Sequence, residues 1–146
     1  MPYIIDPEEF AIEQRRRITT YYYTNRLKLA GFETKQLFIE WYLHELYIHE
    51  NKCHYCDTSI LEIRQLLNAN VINGRRVRGD GMRGPNLEID KRDAFGEYNE
   101  GNCVLSCYYC NNDKSNTFDY EVYKHIIGPV KKSAWIELLR RLNSTF

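Results

Sequence analysis

Two Cys-x-x-Cys pairs, Cys53-His-Tyr-Cys56 and Cys107-Tyr-Tyr-Cys110, constrain this chain more than any other feature. Two thiolates at this spacing sit on one turn and reach the same ion, and two such turns complete the closed tetrahedral set that structural zinc prefers. Buried thiols or disulfides explain the pattern less well, because unrelated cysteines rarely fall twice at this spacing. The fifth cysteine, Cys103, lacks a partner at that spacing and reads as a small core residue. His49 and His54 are alternative ligands that four cysteines make unnecessary. A zinc held by Cys53, Cys56, Cys107 and Cys110 would join segments far apart in sequence and contribute folding free energy directly.

With 146 residues, 43% of them apolar, the chain suits one domain of ordinary size, 1–146. Its 20 basic and 20 acidic residues exclude a histone-like polycation, so any attraction to nucleic acid must come from local asymmetry. No apolar run approaches the roughly 20 residues that span a bilayer. Asp6, Glu8 and Glu9 near the start do not form an export leader, so a cytoplasmic setting with reduced thiols and no membrane is expected.

The charge is unevenly spread along the chain. Between Gln14 and Lys28 lie Arg15, Arg16, Arg17, Arg26 and Lys28 with no acid, giving a basic helical arm over 1–31 that Gly31 interrupts. Tyr21, Tyr22 and Tyr23 in that arm either stack on distorted bases or pack the helix. Thr34 is placed to cap a helix running to Ile48, with Leu37, Phe38, Trp41 and Tyr42 on its core face. A third helix is expected over Ile60 to Ala69. From Gly74 to Asn86, glycines and a proline predict a loop without regular structure, carrying Arg75, Arg76, Arg78 and Arg83 against Asp80 alone. Asn86 to Lys91 alternates as a half-buried strand does, and Cys103 to Cys107 can be its partner across a long loop. A helix follows over Tyr108 to Thr117. Asp119 then caps another to Ile127, and Gly128-Pro129 separates it from a last helix over Lys131 to Leu142.

Within this order, Asn86-Leu-Glu-Ile-Asp90-Lys91-Arg92 and then Asn102-Cys-Val-Leu-Ser-Cys107-Tyr-Tyr-Cys110-Asn111-Asn112-Asp113-Lys114-Ser115-Asn116 resemble the ββα-metal motif of HNH (His-Me finger) endonucleases, zinc-binding branch. Thr34-Lys-Gln-Leu-Phe-Ile-Glu-Trp-Tyr42 and Lys114-Ser-Asn-x-Phe118 are further similar to small rare-cutting HNH restriction enzymes. Those relatives commonly carry another zinc knuckle nearer the N-terminus, which this sequence lacks. The resemblance implies an α+β fold in which a zinc-stapled ββα-metal core over 53–118 is surrounded by helices, with C-terminal helices over 119–146. It implies a divalent-metal-dependent endonuclease acting on DNA phosphodiester bonds. Asp90 and Asn111 would bind the catalytic Mg²⁺ or Mn²⁺, and Asn102 would brace the loop or act as general base.

Lys91 stands where most relatives place the general-base histidine. An ordinary lysine, with a pKa near 10.4, is protonated at neutral pH and suits an electrostatic clamp better than a base. His54, Tyr55 and Tyr98 are the alternative proton acceptors, and Tyr98 also matches a loop tyrosine of the family. Arg75, Arg76, Arg78, Arg83, Arg92 and Lys114, together with Arg15, Arg16 and Arg17, are the expected DNA contacts. A homodimer would let such an enzyme cut both strands, and a phage, mobile-element or restriction setting follows from the resemblance alone. The rivals are a catalytically inactive DNA-binding module of the same fold and a zinc-stapled interaction domain.

Overall fold

In a computed structural model, described over residues 3–77 and 81–144, helices surround two small antiparallel ribbons. Helix α1 (Pro7–Thr24) opens at Asp6, whose Oδ2 accepts the Glu8 and Glu9 amides at 3.1 Å each, with Pro7 at the first helical position. It stops at Asn25, short of the extent expected from composition, because the Asn25 side chain donates back to the Tyr21 carbonyl at 2.9 Å. Helix α1 buries Gln14 and Ile18 against the rest of the fold. Gln14 Nε2 donates to Asn86 Oδ1 at 2.8 Å and Arg17 Nη2 to the Leu87 carbonyl at 2.8 Å, so α1 is bonded to the entry of the site strand.

Thr34 caps α2 (Lys35–Ile48) by accepting the Leu37 amide at 3.1 Å, as expected. Phe38, Trp41 and Tyr42 are buried, but Leu37 is 53% exposed; the buried stripe runs through Ile39 and Leu46 instead and turns Leu37 outward. Phe32 stands 5.1 Å from Phe38 and 4.9 Å from Trp41, ring centre to ring centre, and Tyr21 and Tyr22 pack on the same Phe38. Those two tyrosines are therefore helix-packing residues. Helix α3 (Ile60–Asn68) begins with a reciprocal box in which Ser59 accepts the Glu62 amide and Glu62 accepts the Ser59 amide.

The glycine-rich segment is more regular than its composition suggests. Strands β1 (Arg75–Arg76) and β2 (Met82–Arg83) form a minimal hairpin, with Arg75 opposite Arg83. Strands β3 (Leu87–Lys91) and β4 (Cys103–Cys107) then pair antiparallel, Asp90 opposite Val104, and lead directly into α4 (Tyr108–Lys114). The expected order of strand, long loop, strand and helix is present, though α4 ends before Thr117 with Ser115 at φ +42°.

The expected break at Gly128-Pro129 does not occur. Helix α5 (Tyr120–Val122), a π-helical turn (Tyr123–Ile127) and α6 (Gly128–Ser144) run on without interruption. The wider π turn accommodates the proline ring and its missing N–H, and Gly128 holds helical dihedrals of −55° and −48°. Gly128 is required by contact rather than by conformation: a Cβ there would lie 2.3 Å from the Tyr55 carbonyl oxygen. Helix propensity favours alanine over glycine by about 1 kcal/mol. Gly128→Ala should nonetheless destabilise the zinc-loaded protein by about 3 kcal/mol, the range of an overpacked contact, as measured by urea unfolding. A stabilised variant would contradict this packing. Among the described residues, no helix is long and apolar enough to cross a membrane.

Candidate metal centre and active-site cavity

The four sulfurs of Cys53, Cys56, Cys107 and Cys110 lie within 4.8 Å of one another, and all four residues are buried. Cys56 Sγ and Cys107 Sγ are 3.7 Å apart. A disulfide would hold them at about 2.05 Å, whereas four 2.3 Å zinc–sulfur bonds in tetrahedral array place sulfurs about 3.8 Å apart. The set therefore fits zinc. Each knuckle has a backbone amide aimed at its first thiolate, Tyr55 N to Cys53 Sγ and Cys110 N to Cys107 Sγ, both at 3.4 Å. The first knuckle is pinned to β4 by the His54 amide, which donates to the Leu105 carbonyl at 2.9 Å. Neither candidate histidine joins the cluster: His49 pairs with Glu45, and His54 Nε2 lies 2.8 Å from the Tyr120 hydroxyl. Cys103 is buried outside the cluster, and burial pushes its thiol up to about 11.

The staple positions a carboxylate. Tyr55, between the first two zinc ligands, donates its hydroxyl to Asp90 Oδ2 at 2.5 Å, and Lys114 Nζ lies 3.3 Å from the same oxygen. Asp90 is only 7% exposed, so burial raises its pKa while Tyr55 and Lys114 act to lower it. Oδ1 of Asp90 has no hydrogen-bond partner among the described residues. Tyr55 is itself held far above the ordinary phenol value by burial and by Asp90, so it is a fixed donor and not a base.

Asn111 on α4 donates Nδ2 to Glu88 Oε1 at 2.9 Å, which leaves its Oδ1 as the end free for a cation. Glu88 is two residues from Asp90 on the same strand face and is clamped by Arg83 through bonds of 2.6 and 3.0 Å. Asp90, Asn111, Glu88 and Lys91 all line one cavity of about 880 Å³, which Arg17 and Lys28 also line. Oxygen donors with room left for water and phosphate suit Mg²⁺ or Mn²⁺.

The remaining residues are sorted by this cavity. Lys91 lines it, with Nζ donating to the Gly96 carbonyl at 3.2 Å and resting 4.7 Å from the centre of the Tyr98 ring. Asn102 does not line it. Its side chain donates to the carbonyls of Asp93 and Glu97 and accepts the Asp93 amide, so it braces the loop between β3 and β4. None of the four histidines lines the cavity. Burial, with Lys124 and Arg92 nearby, depresses His54 to about 4. Tyr98 does line it, half-buried, with its phenol raised mainly by burial.

The basic residues divide in the same way. Lys114 is 1% exposed and spends its ammonium on Asp90 and the Lys91 carbonyl, so it is a buried counter-ion where a surface phosphate contact was expected. Arg83 is likewise committed to Glu88 and lies 4.6 Å over the Tyr108 ring. Arg17 points inward to Tyr42 and Leu87, Arg15 pairs with Glu40, and Arg16 is exposed. Arg75 and Arg76 are exposed on the hairpin, Arg92 lies over the Tyr120 ring, and Arg78 is outside the described residues. The sequence pointed to Asp90 and Asn111 but missed three supports: Tyr55 and Lys114 on Asp90, and Glu88 on Asn111. The Glu88-x-Asp90 alternation and the Asn111-x-x-Lys114 helical spacing carried two of these signals.

The ββα core, with helices around it and a four-cysteine cluster beside it, is similar to an HNH endonuclease fold. A solved structure of PacI, described as a rare-cutting HNH restriction endonuclease that perturbs DNA, is similar to this chain with a TM-score of 0.61, covering 87% of this chain and 80% of that one at 24% identity. No family model and no curated protein matches the sequence.

Proposed function

We propose that this chain is a divalent-metal-dependent DNA endonuclease. The observation that carries the reading is that Asp90 and Asn111, each bonded to a protein partner through one end of its group, line one cavity beside a closed cysteine cluster. A Mg²⁺ or Mn²⁺ held there would supply charge stabilisation for the phosphate and the leaving oxygen. Tyr55 and Lys114 orient Asp90, Glu88 orients Asn111, and Asn102 holds the loop that carries Tyr98. Lys91, with no histidine in the cavity, serves as a fixed positive charge near the phosphate, and the water's proton passes to solvent. Arg75, Arg76, Arg16 and Arg92 position the DNA backbone.

The likeness in fold to a restriction endonuclease supports DNA as substrate. A catalytically inactive DNA-binding module is the second reading, favoured by the engagement of Lys91 with Gly96 and Tyr98. Incubating the zinc-loaded protein with supercoiled plasmid decides between them. Nicked and linear DNA should appear with Mg²⁺ or Mn²⁺ and not without added metal. A mobility shift with intact plasmid under every metal condition would favour the binding module.

A further inference from the structure

The two most exposed large apolar side chains among the described residues are Leu27, at 96%, and Phe95, at 90%. They are far apart in sequence, yet each is next in sequence to a residue that lines the Asp90 cavity. Lys28, next to Leu27, and Ala94, next to Phe95, are both lining residues. Neither sits on a loose tip. Leu27 is in a turn closed by the Leu29 amide on the Asn25 carbonyl at 3.1 Å and anchored by buried Leu29. Phe95 follows Asp93, whose carboxylate accepts the Phe95 amide at 3.0 Å, in the loop braced by Asn102. The two turns are also locked together. Lys28 lies between the Tyr21 and Tyr98 rings, 5.3 and 5.1 Å from their centres, and a Cβ on Gly31 would meet the Tyr98 carbonyl at 2.3 Å.

Apolar side chains held this exposed forgo burial energy in the free protein and would regain it against an apolar partner such as a base stack. Leu27 lies between Arg26 and Lys28, both exposed, so the apolar tip is flanked by cations suited to phosphates. Side chains of this kind enter between base pairs and part a base step, while neighbouring basic residues hold the strands. The Asp90 carboxylate is recessed, and a regular duplex presents its phosphates on a smooth outer surface. Parting a base step at the mouth would bend the backbone inward toward Asp90 and Asn111.

We propose that Leu27 and Phe95 are wedges that insert into the base stack of bound duplex DNA beside the phosphate that is cut. Leu27, with its flanking cations, is the leading wedge, and Phe95 supports it from the facing loop. This rests on the nuclease reading and can fail separately from it. The test begins by mapping the wild-type cut site through sequencing of plasmid ends. A short duplex carrying that site, with 2-aminopurine at the base step beside the cut, is then bound in Ca²⁺.

Wild type should raise the fluorescence several-fold. Leu27→Ser should remove most of the rise and Leu27→Ser/Phe95→Ser all of it. Cleavage of the intact duplex should fall at least tenfold in the double variant and recover on the same duplex carrying a mismatch at that step. Wild type that cuts while the fluorescence stays flat, or variants that unstack the step as wild type does, would overturn the wedge and leave the nuclease intact. A shift from dimer to monomer in the variants on sedimentation, with unstacking unchanged, would assign the two side chains to contact between copies and overturn it too. Wild type that neither cuts nor binds DNA would instead sink the nuclease reading itself.

Discussion

Cys107→Ser should leave the protein unable to hold zinc and largely unfolded, with loss of the cooperative thermal transition in circular dichroism. Structural zinc in small domains contributes roughly 10–16 kcal/mol of apparent binding free energy, while a domain of ordinary size is stable by only about 5–15 kcal/mol. Four buried sulfurs within 4.8 Å of one another would, without the ion, form a buried cluster of thiols with little to satisfy them. The staple also fixes the site, because Tyr55 reaches Asp90 from inside the first knuckle and α4, which carries Asn111, starts at Cys107. A strong zinc chelator should produce the same unfolding as the substitution. Native mass spectrometry should count one zinc in the wild type and none in Cys107→Ser. A folded, zinc-loaded Cys107→Ser would refute the ligand set.

The second large effect is on cleavage. Removing either oxygen donor from the cavity should cost several kcal/mol of charge stabilisation, a loss in rate on the order of 10³-fold. The two obvious substitutions differ in what else they disturb. Asp90→Ala leaves the Lys114 ammonium, 1% exposed, without its carboxylate, and an orphaned buried charge costs roughly 3–5 kcal/mol of stability. Asn111 is half-buried and neutral, and Glu88 keeps its bidentate Arg83 when Asn111 is truncated. Asn111→Ala should therefore fold as wild type does, while Asp90→Ala should lose both activity and several degrees of melting temperature. Lys114→Met combined with Asp90→Ala should restore much of the stability and none of the activity.

The parts of this architecture readable from the sequence share one property: the signal was local and periodic. The Cys-x-x-Cys spacings, the Thr34 cap, the alternation from Leu87 to Lys91 and the strand-to-helix passage at Cys107 all have local signatures. What escaped depended on contacts between distant segments. Lys114 looked like a surface cation beside a motif, and only the fold turns it toward Asp90. Arg83 belonged to a basic loop until β2 set it against Glu88. The Gly128-Pro129 break failed because local rules say nothing about a preceding π turn or about Tyr55 pressing against Gly128. Arg17 likewise read as a DNA contact on a basic helical arm and is in fact bonded to the Leu87 carbonyl.

The most direct measurement of the central claim is the initial rate of Mg²⁺-dependent cleavage of supercoiled plasmid by zinc-loaded Asn111→Ala against wild type. Zinc content and melting temperature are to be matched first. The expected result is clean wild-type cleavage and a loss on the order of 10³-fold in the variant. A variant that cuts at the wild-type rate would contradict the assignment of the cavity between β3 and α4 as the place where the metal acts.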